Sequence, residues 1–310
     1  MELQNYTSVM AFVLVGLPFE SDLRRIIFSC FFVMYIINVS VNFCIMVIII
    51  SNATLHTAMY LFLWNVALLD ICCSSVVVPK MLIDLASQKK MISFYGCMLQ
   101  VHFFHFLGGT QITLFSVMSY DRFVAIAYPL RYMTIMSFNS CVCLVSSCWV
   151  IGFFHALIHS VMTATLPFCG PNEVKHLFCD VKPLLVLACA DTSINLQVVT
   201  RVTGSFTTTT LLLTILSYIF ISKFLFKIKT SQGRRRALST CSAHLCVVSL
   251  QYGTAIFLYI RPTTKDSLDQ DRMAAILFTV ITPALNPIIY TLRNKDMKKA
   301  LKKLCNQCTA

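Results

Sequence analysis

The chain has 310 residues, of which 57% are hydrophobic and only 12% are charged, and its mean hydropathy is +0.75. A soluble domain of this size usually carries about a quarter charged residues, because its surface must stay hydrated. The composition therefore excludes an ordinary soluble globular protein, a disordered chain and a small secreted disulfide-rich protein. It indicates a membrane protein.

Seven apolar segments are long enough to cross a bilayer, for which a helix needs about 20 mostly apolar residues. They are Ile26–Ile50, Met59–Val78, Met98–Met118, Ser140–Ala164, Leu196–Phe226, Leu238–Ile260 and Met273–Leu292. Their short connections leave no room for a second domain. The predicted fold is an all-α membrane protein, a single seven-transmembrane-helix bundle over residues 1–310.

The distribution of Lys and Arg predicts the orientation, because these residues collect on the cytoplasmic side of short loops. Two basic blocks, 223–236 and 293–303, hold many of the 25 Lys and Arg residues. We expect the tail 293–310 to be cytoplasmic, and the N-terminus 1–25 and the loop 165–195 to be extracellular. Asn5 starts an Asn-Tyr-Thr glycosylation acceptor, which functions only outside the cell.

The same basic blocks account for the net charge of +12. Because they adjoin predicted spans, anionic lipid attracts each basic residue by about 1 kcal/mol. This favours membrane lipid over nucleic acid as their partner. A protein that docks on the basic surface is the alternative.

Cysteines indicate a disulfide-bonded loop on the outer side. Of the 15 cysteines, four fall there: Cys97, Cys169, Cys179 and Cys189. An even number on the oxidising side indicates two disulfides, for which three pairings are possible. The loop that holds three of them is long enough to fold over the bundle as a lid.

Five motifs follow one another across nearly the whole chain. They are LHTAMYLFL from Leu55, SSVVVPKML from Ser74, MSYDRFVAIAYPLRY from Met118, STCSAHL from Ser239 and PALNPIIYTLRNK from Pro283. Together with the seven spans, they closely resemble vertebrate olfactory receptors of the rhodopsin-like G-protein-coupled receptor family. The loop 166–192 resembles that of the tetrapod-type class II members.

The resemblance implies a receptor in the plasma membrane of olfactory neuron cilia, with no cofactor. It would bind small, mostly apolar volatile molecules inside the bundle and activate a stimulatory olfactory-type G protein, which raises cyclic AMP. The resemblance also implies the disulfide pairs Cys97–Cys179 and Cys169–Cys189.

Two other function classes are weighed against the receptor. A secondary transporter predicts internal repeats and paired broken helices, and the sequence shows no repeat. An intramembrane enzyme needs a nucleophile with a base, or a metal triad, at mid-depth, and no such set of residues appears. The receptor is therefore the favoured interpretation, and we expect no enzymatic activity.

Matching positions to the resembled family predicts a ligand site between the third, fifth and sixth helices, beneath the outer loop. Its residues would be Phe104, His105, Gly108, Val202, Phe206, Ala255, Ile256, Tyr259, Ile276 and Thr279. Tyr259 and His105 would supply the one or two hydrogen bonds that orient a small ligand. The apolar members would form its wall, although such residues also face lipid in many membrane proteins.

The resemblance also assigns a switch for G-protein coupling. Its residues would be Asp121, Arg122, Tyr218, His244, Tyr252, Asn286, Pro287 and Tyr290. Arg122 would be held inside at rest and would turn to the G protein on activation. Adjacent helical residues point about 100° apart, so we expect Asp121 to pair with Arg122 only loosely. A plain ion pair at the helix end is the alternative.

Asp70 is a carboxylate deep within a predicted span, where an isolated charge is costly. We expect a polar network that joins Asp70 to Asn42, Gln111 and Asn286. A sodium site is the alternative, and it is weakened because Gln111 stands where the family generally has Glu.

Two histidine pairs lie toward the outer ends of the third and fourth helices. His102 and His105 are three residues apart, and His155 and His159 are four apart, so each pair shares a helix face. We expect hydrogen-bonded histidines and no metal. Copper or zinc that helps to bind thiol odorants is the alternative.

Overall fold

The computed structural model describes residues 9–16, 21–87, 89–227, 230–259, 267–293 and 297–300. Most of the described chain is helical. Five long helices are uninterrupted: α1 (Ser21–Ser51), α2 (Ala58–Ala86), α3 (Phe94–Ala127), α4 (Phe138–Ala164) and α6 (Ser231–Tyr259). Asn5 and residues 301–310 of the predicted tail lie outside the described residues.

Two more long helices each contain a π-helical turn. Helix α5 consists of Ser193–Val198, the π turn Val199–Thr203 and Gly204–Lys227. Helix α7 consists of Ser267–Ile276, the π turn Leu277–Ile281 and Thr282–Arg293. A π turn inserts one extra residue into an α-helix and often occurs at a functional site.

The helices have the composition of a multi-pass membrane protein. In the described part of the chain, five of them are long and apolar enough to cross a membrane: α1, α2, α4, α5 and α7. Helix α6 contributes a shorter apolar segment, His244–Tyr259. Large apolar side chains on the outer faces, such as Phe32, Val150 and Leu212, are about half exposed. Such a surface suits contact with lipid.

The helices extend beyond the apolar segments predicted from the sequence. Helix α3 begins at Phe94 rather than Met98 and ends at Ala127 rather than Met118. Its N-terminus is capped by Ser93, whose hydroxyl accepts a hydrogen bond from the Gly96 N–H. Since polar residues can continue a helix outside the bilayer core, hydropathy marks the buried part and not the helix ends.

Helix α3 lies at the centre of the bundle, in contact with α2, α4 and α5. Its approach to α4 is close because Gly152 has no side chain. A Cβ atom at Gly152 would lie only 2.8 Å from the backbone nitrogen of Thr110. Small residues commonly allow membrane helices to approach in this way. The close approach brings the histidines of α4 against α3.

A small sheet covers one end of the bundle. Its strands are β1 (Ala11–Leu14), β2 (Met91–Ser93) and β3 (Glu173–Val174), in the order β2-β1-β3. Strand β1 is antiparallel to β2 and parallel to β3. We refer to the end of the bundle that carries this sheet and the 165–195 loop as the loop end.

Strand β1 of the N-terminal segment pairs with β3 of the outer loop, a contact not predicted from the sequence. Phe12 of β1 is fully buried and contacts the rings of Phe94 and Phe168. Helix α1 begins at Ser21, within the predicted N-terminal segment 1–25. Likewise, the loop contains the short helix Val181–Leu185, and α5 begins at Ser193, inside the predicted loop.

Candidate functional site

The 165–195 loop is anchored in the bundle. The sulfurs of Cys97 and Cys179 lie at bonding distance, as do those of Cys169 and Cys189. The backbone N–H of Cys179 also donates to Gln100 Oε1 on α3, at 2.9 Å. Residues 176–182 of the loop are buried. This segment therefore acts as a lid over the loop end, as the loop length predicted.

Asp180 is the polar centre beneath this lid. Its Oδ1 atom lies 3.1 Å from His105 Nε2 and accepts the Val181 N–H at 2.7 Å, and its Oδ2 accepts the Tyr259 hydroxyl at 3.3 Å. Burial alone would raise the pKa of Asp180. The hydrogen bond from His105 and the charges of His105 and His176 outweigh burial and lower this pKa to about 2. Asp180 is therefore an ionised carboxylate in a buried site.

Aromatic rings surround this polar centre. The Phe104 ring lies 4.9 Å from that of Phe178 in the loop and 5.6 Å from that of Phe278 on α7. A Cβ atom at Gly108 would be 3.5 Å from Phe278, so the glycine leaves just enough room for this ring. Four of the predicted ligand residues are thus brought together: Phe104, His105, Gly108 and Tyr259.

The sequence interpretation missed Asp180, Phe178 and Phe278. Asp180 directly follows the cysteine that the resemblance pairs with Cys97 on α3. That pairing was the one available signal that the loop acid would reach His105.

The other predicted ligand residues are more widely distributed. Phe206 stacks on the ring of His155, with centroids 4.6 Å apart. Val202, in the π turn of α5, is half-buried, as is Ile256 on α6. The last three are buried, namely Ala255, Ile276 and Thr279. The Thr279 hydroxyl donates to the carbonyl of Ala275 in its own helix, at 2.7 Å.

Three of the four singled-out histidines meet. Ring nitrogens of His105, His155 and His159 all lie within 4.8 Å of one another. His102 is not among them, since its Nδ1 lies 3.0 Å from Ser160 Oγ on α4. Residues three apart on a helix differ by about 60° in direction. This rotation turns His102 away from the group that His105 joins.

A polar network at mid-depth joins four helices. Asp70 Oδ1 accepts from Gln111 Nε2 at 2.7 Å and from Asn286 Nδ2 at 3.0 Å, and Gln251 Nε2 donates to Gln111 Oε1 at 2.7 Å. Asn42 joins this network through Asn38: Asn42 Nδ2 donates to Asn38 Oδ1 at 2.7 Å, and Asn38 Nδ2 donates to the backbone carbonyl of Asp70 at 3.2 Å. The Asn42 side chain also donates to the carbonyl of Pro283 at 3.4 Å.

Asp121 and Arg122 lie at the end of α3 opposite the loop end. Arg122 Nε donates to Asp121 Oδ2 at 2.9 Å, and the Tyr132 hydroxyl donates to Asp121 Oδ1 at 2.7 Å. The expectation of a loose pair is therefore wrong, because the long guanidinium side chain reaches sideways to its neighbour. Asp121 is almost fully buried and Arg122 is partly exposed.

The remaining predicted switch residues fall into separate contacts. The Tyr218 hydroxyl lies 2.7 Å from His244 Nδ1 and links α5 to α6. Tyr252 is bonded to Ser116 Oγ at 3.0 Å, away from Arg122. The buried hydroxyl of Tyr290 has no hydrogen-bond partner among the described residues. Pro287 lies inside α7, directly after Asn286 of the Asp70 network.

A groove of about 350 Å³ opens between α5 and α6. Tyr218 and Tyr252 line it, together with apolar residues such as Leu211, Ile215 and Val248. The groove therefore adjoins predicted switch residues and not the Asp180 site.

Comparison with known proteins agrees with the resemblance seen in the sequence. A family model described as olfactory receptor matches residues 31–308. Human olfactory receptor 12D1 is 49% identical over 300 residues, which cover 96% of this chain and 94% of that receptor. Human olfactory receptor 12D2 is 48% identical over 96% of this chain and 97% of its own length, and human olfactory receptor 10G4 is 44% identical over 97% of each chain.

These matches confirm the receptor interpretation and remove the transporter and the enzyme as alternatives. The family model covers most of the chain, and each relative is aligned over nearly its whole length. The chain belongs to the olfactory receptor family and functions as an odorant receptor.

Proposed function

We propose that the ligand is a small, mostly apolar volatile molecule that binds at the loop end, between α3, α5 and α6. The observation that carries this proposal is the buried group formed by Asp180, His105 and Tyr259 beside the rings of Phe104, Phe178 and Phe278. Binding sites for small molecules are mostly apolar, with a few polar groups that fix orientation. This group has that composition.

The proposed site sets the range of affinity. Each buried methylene of the ligand contributes at most about 0.8 kcal/mol. Capture of the ligand offsets a large part of this gain through lost translational and rotational freedom. We therefore expect dissociation constants nearer to micromolar than to nanomolar.

We propose seven transmembrane helices, with the N-terminus and the loop end outside the cell and the tail inside. Two observations support this orientation. The paired cysteines lie at the loop end, where an oxidising compartment suits them. At the other end, Arg131 lies in the segment that follows α3, and Lys223 lies in the last turns of α5. In this arrangement Asn5 is available for glycosylation, and the basic residues contact anionic lipid at the plasma membrane, which in olfactory neurons is that of the cilia.

We propose that ligand binding shifts an existing equilibrium toward a state in which Arg122 leaves Asp121 and contacts a stimulatory olfactory-type G protein, raising cyclic AMP. The contacts that would rearrange are those of Asp121 with Tyr132 and of Tyr218 with His244. Tyr252, Asn286, Pro287 and Tyr290 lie along α6 and α7, which would move. Family membership supports G-protein coupling in general.

Cyclic AMP in cells that express the receptor with the olfactory G protein tests this proposal. A panel of volatiles identifies a ligand, and surface expression of each variant is measured in parallel. We expect Arg122→Ala to abolish the response. We expect Tyr259→Phe to raise the half-maximal ligand concentration about 5- to 10-fold, because it removes one hydrogen bond from the polar group.

Tyr95→Phe is the matched control, since Tyr95 also lies on a helix of the bundle but is 79% exposed. Its dose–response curve should match that of the unmodified receptor. A full response in Arg122→Ala would contradict the proposed coupling. An unchanged curve in Tyr259→Phe, His105→Gln and Phe104→Ala alike would contradict the proposed ligand site.

A further inference from the structure

The histidine cluster, defined as His105, His155 and His159, is a second kind of site at the loop end. All three side chains are buried, and ring nitrogens from each lie within 4.8 Å of one another. His155 and His159 are four residues apart on α4 and therefore share one helix face. The close approach at Gly152 presses this face against α3, which carries His105.

The hydrogen bonds of the cluster are incomplete. The Nε2 atoms of His155 and His159 lie 3.4 Å and 2.9 Å from one hydroxyl, Thr203 Oγ1. Their Nδ1 atoms are buried and have no partner among the described residues. A neutral imidazole carries one donor and one acceptor nitrogen. The centroids of the two rings lie 4.8 Å apart. Since buried polar atoms are nearly always paired, unpartnered nitrogens on two neighbouring rings indicate a binding partner from outside the chain.

His105 is oriented as metal-binding histidines commonly are. Asp180 Oδ1 accepts the Val181 N–H and Oδ2 accepts the Tyr259 hydroxyl, so both carboxyl oxygens act as acceptors. His105 Nε2, at 3.1 Å from Oδ1, is therefore the donor. A carboxylate that accepts from one ring nitrogen fixes the tautomer and makes the other nitrogen a stronger ligand. On α4, the Thr203 hydroxyl can accept from the Nε2 atoms in a similar way.

The size of the cluster suits a small transition-metal ion. Bonds of 2.0–2.1 Å from zinc to three nitrogens in tetrahedral geometry require the nitrogens to lie about 3.3 Å apart. The distance between any two of the ring nitrogens is at most 4.8 Å, so it must shorten by about 1.5 Å at most, which small side-chain rotations can supply. Imidazole ligands favour zinc or copper, whereas calcium and magnesium prefer oxygen ligands.

We propose that the histidine cluster binds one Zn²⁺ ion through His105, His155 and His159, with water as the fourth ligand. The ion would tie α3 to α4 directly, and to the loop and α5 through Asp180 and Thr203. This inference does not depend on the identity of the odorant or on G-protein coupling. It can therefore fail or succeed separately from the proposed function.

Zinc binding to the purified, chelator-treated receptor in lipid nanodiscs tests this inference. Competition with a chromophoric zinc chelator gives the affinity. We expect one site at or below the micromolar range. His155→Gln and His159→Gln should each weaken it at least 10-fold, and Asp180→Asn should weaken it about 10- to 100-fold by releasing His105.

His102→Gln is the matched control, because His102 lies one turn from His105 but outside the cluster. It should bind zinc like the unmodified receptor. Zinc binding by His155→Gln and His159→Gln as tight as that of the unmodified receptor would overturn the proposal. Failure of the unmodified receptor to bind zinc at concentrations 100-fold above the micromolar range would also overturn it. In the second case, water would be the partner of the unpaired nitrogens.

Cobalt substitution of the unmodified receptor gives an answer even if the variants do not fold. Co²⁺ bound by three imidazoles and water should show weak visible bands typical of tetrahedral nitrogen ligands, without strong thiolate charge-transfer absorption in the near ultraviolet. A strong thiolate band at one equivalent of Co²⁺ would place the metal on the free cysteines and overturn the proposal.

Discussion

Each end of the bundle buries a carboxylate in a hydrogen-bonded group, but the two groups are assembled differently. Asp180 at the loop end is bonded to His105 and Tyr259, which are 75 and 79 residues away along the chain. At the opposite end, the partners of Asp121 are its neighbour Arg122 and, 11 residues away, Tyr132.

This difference bears on what each end can do. The group at Asp121 lies almost within one motif and needs little of the fold to form. The group at Asp180 forms only when the loop, α3 and α6 are all in place. Its shape therefore depends on residues spread over the chain, which suits the end that selects ligands.

The comparison predicts the largest effect for loss of the covalent link at the loop end. Cys97→Ser removes the attachment of Cys179 to α3 and should lower the free energy of unfolding by about 2–5 kcal/mol. Thermal unfolding in detergent at a fixed scan rate measures this. Cys44→Ser, which changes an exposed free thiol on α1, is the control. Equal midpoints for both variants would show that the loop is held without the disulfide.

Neutralising the carboxylate should have the next largest effect. Asp180→Asn replaces charge-assisted hydrogen bonds to His105 and the Val181 N–H with neutral ones, so we expect a loss of about 2–3 kcal/mol. Thermal unfolding at neutral pH is the measurement. Glu173→Gln, at an exposed acid in the same loop, should change little. A similar loss of stability in both variants would indicate that the net charge of the loop, and not the hydrogen bonds of Asp180, is the cause.

Lowering the pH should remove, over a narrow range, the stability that the ionised Asp180 carboxylate contributes. The pKa of its carboxyl is about 2 in the folded receptor and about 3.9 in an unfolded chain. Because the folded value is the lower one, the carboxylate stabilises the fold above about pH 4, and this stability, about 3 kcal/mol, is lost as the pH falls toward 2.

The measurement is the difference in unfolding midpoint between the unmodified receptor and Asp180→Asn at pH 6 and pH 3. The groups that face the carboxylate, His105, His176 and Tyr259, are present in both proteins. We expect the difference to narrow at pH 3. A difference that widens on acidification would contradict the assigned pKa direction.

The smallest effect is expected at the opposite end. Tyr132→Phe removes one hydrogen bond to Asp121 but leaves the pair with Arg122, so the loss should be about 1 kcal/mol. Because Asp121 would hold Arg122 less firmly, we also expect a modest rise in cyclic AMP without ligand. Tyr128→Phe is the control, because it keeps the ring of residue 128, which is exposed and contacts Phe123. A loss as large as that of Asp180→Asn would remove the contrast between the two ends.

Most of the helices were predictable because their apolar segments are long, and in the described part of the chain five helices are long and apolar enough to cross a membrane. The sheet was not, since strands of two to four residues are too short for an alternating pattern to be recognised. The end of α3 was also missed, because Asp121 and Arg122 lower the local hydropathy while they continue the helix.

Within the site, the sequence likewise predicted side chains that lie near each other on one helix better than contacts between distant parts of the chain. Resemblance placed Phe104, His105 and Tyr259 at the ligand site, and helical spacing paired His155 with His159. Spacing placed His102 and His105 on the same side of α3, and both contact α4, but His102 meets Ser160 there and not the histidines. No periodicity could place Asp180, whose position follows from the path of an irregular loop.

The π turn makes the loop side of α5 sensitive to chain length as well as to residue type. Thr203, which contacts both His155 and His159, is the last residue of this turn. Deleting one residue between 199 and 202 would convert the turn to regular α-helix and rotate everything on its loop side by about 100° relative to the rest of α5. A single-codon deletion could thus present a new set of side chains to the ligand while the half of α5 that pairs Tyr218 with His244 stays unchanged.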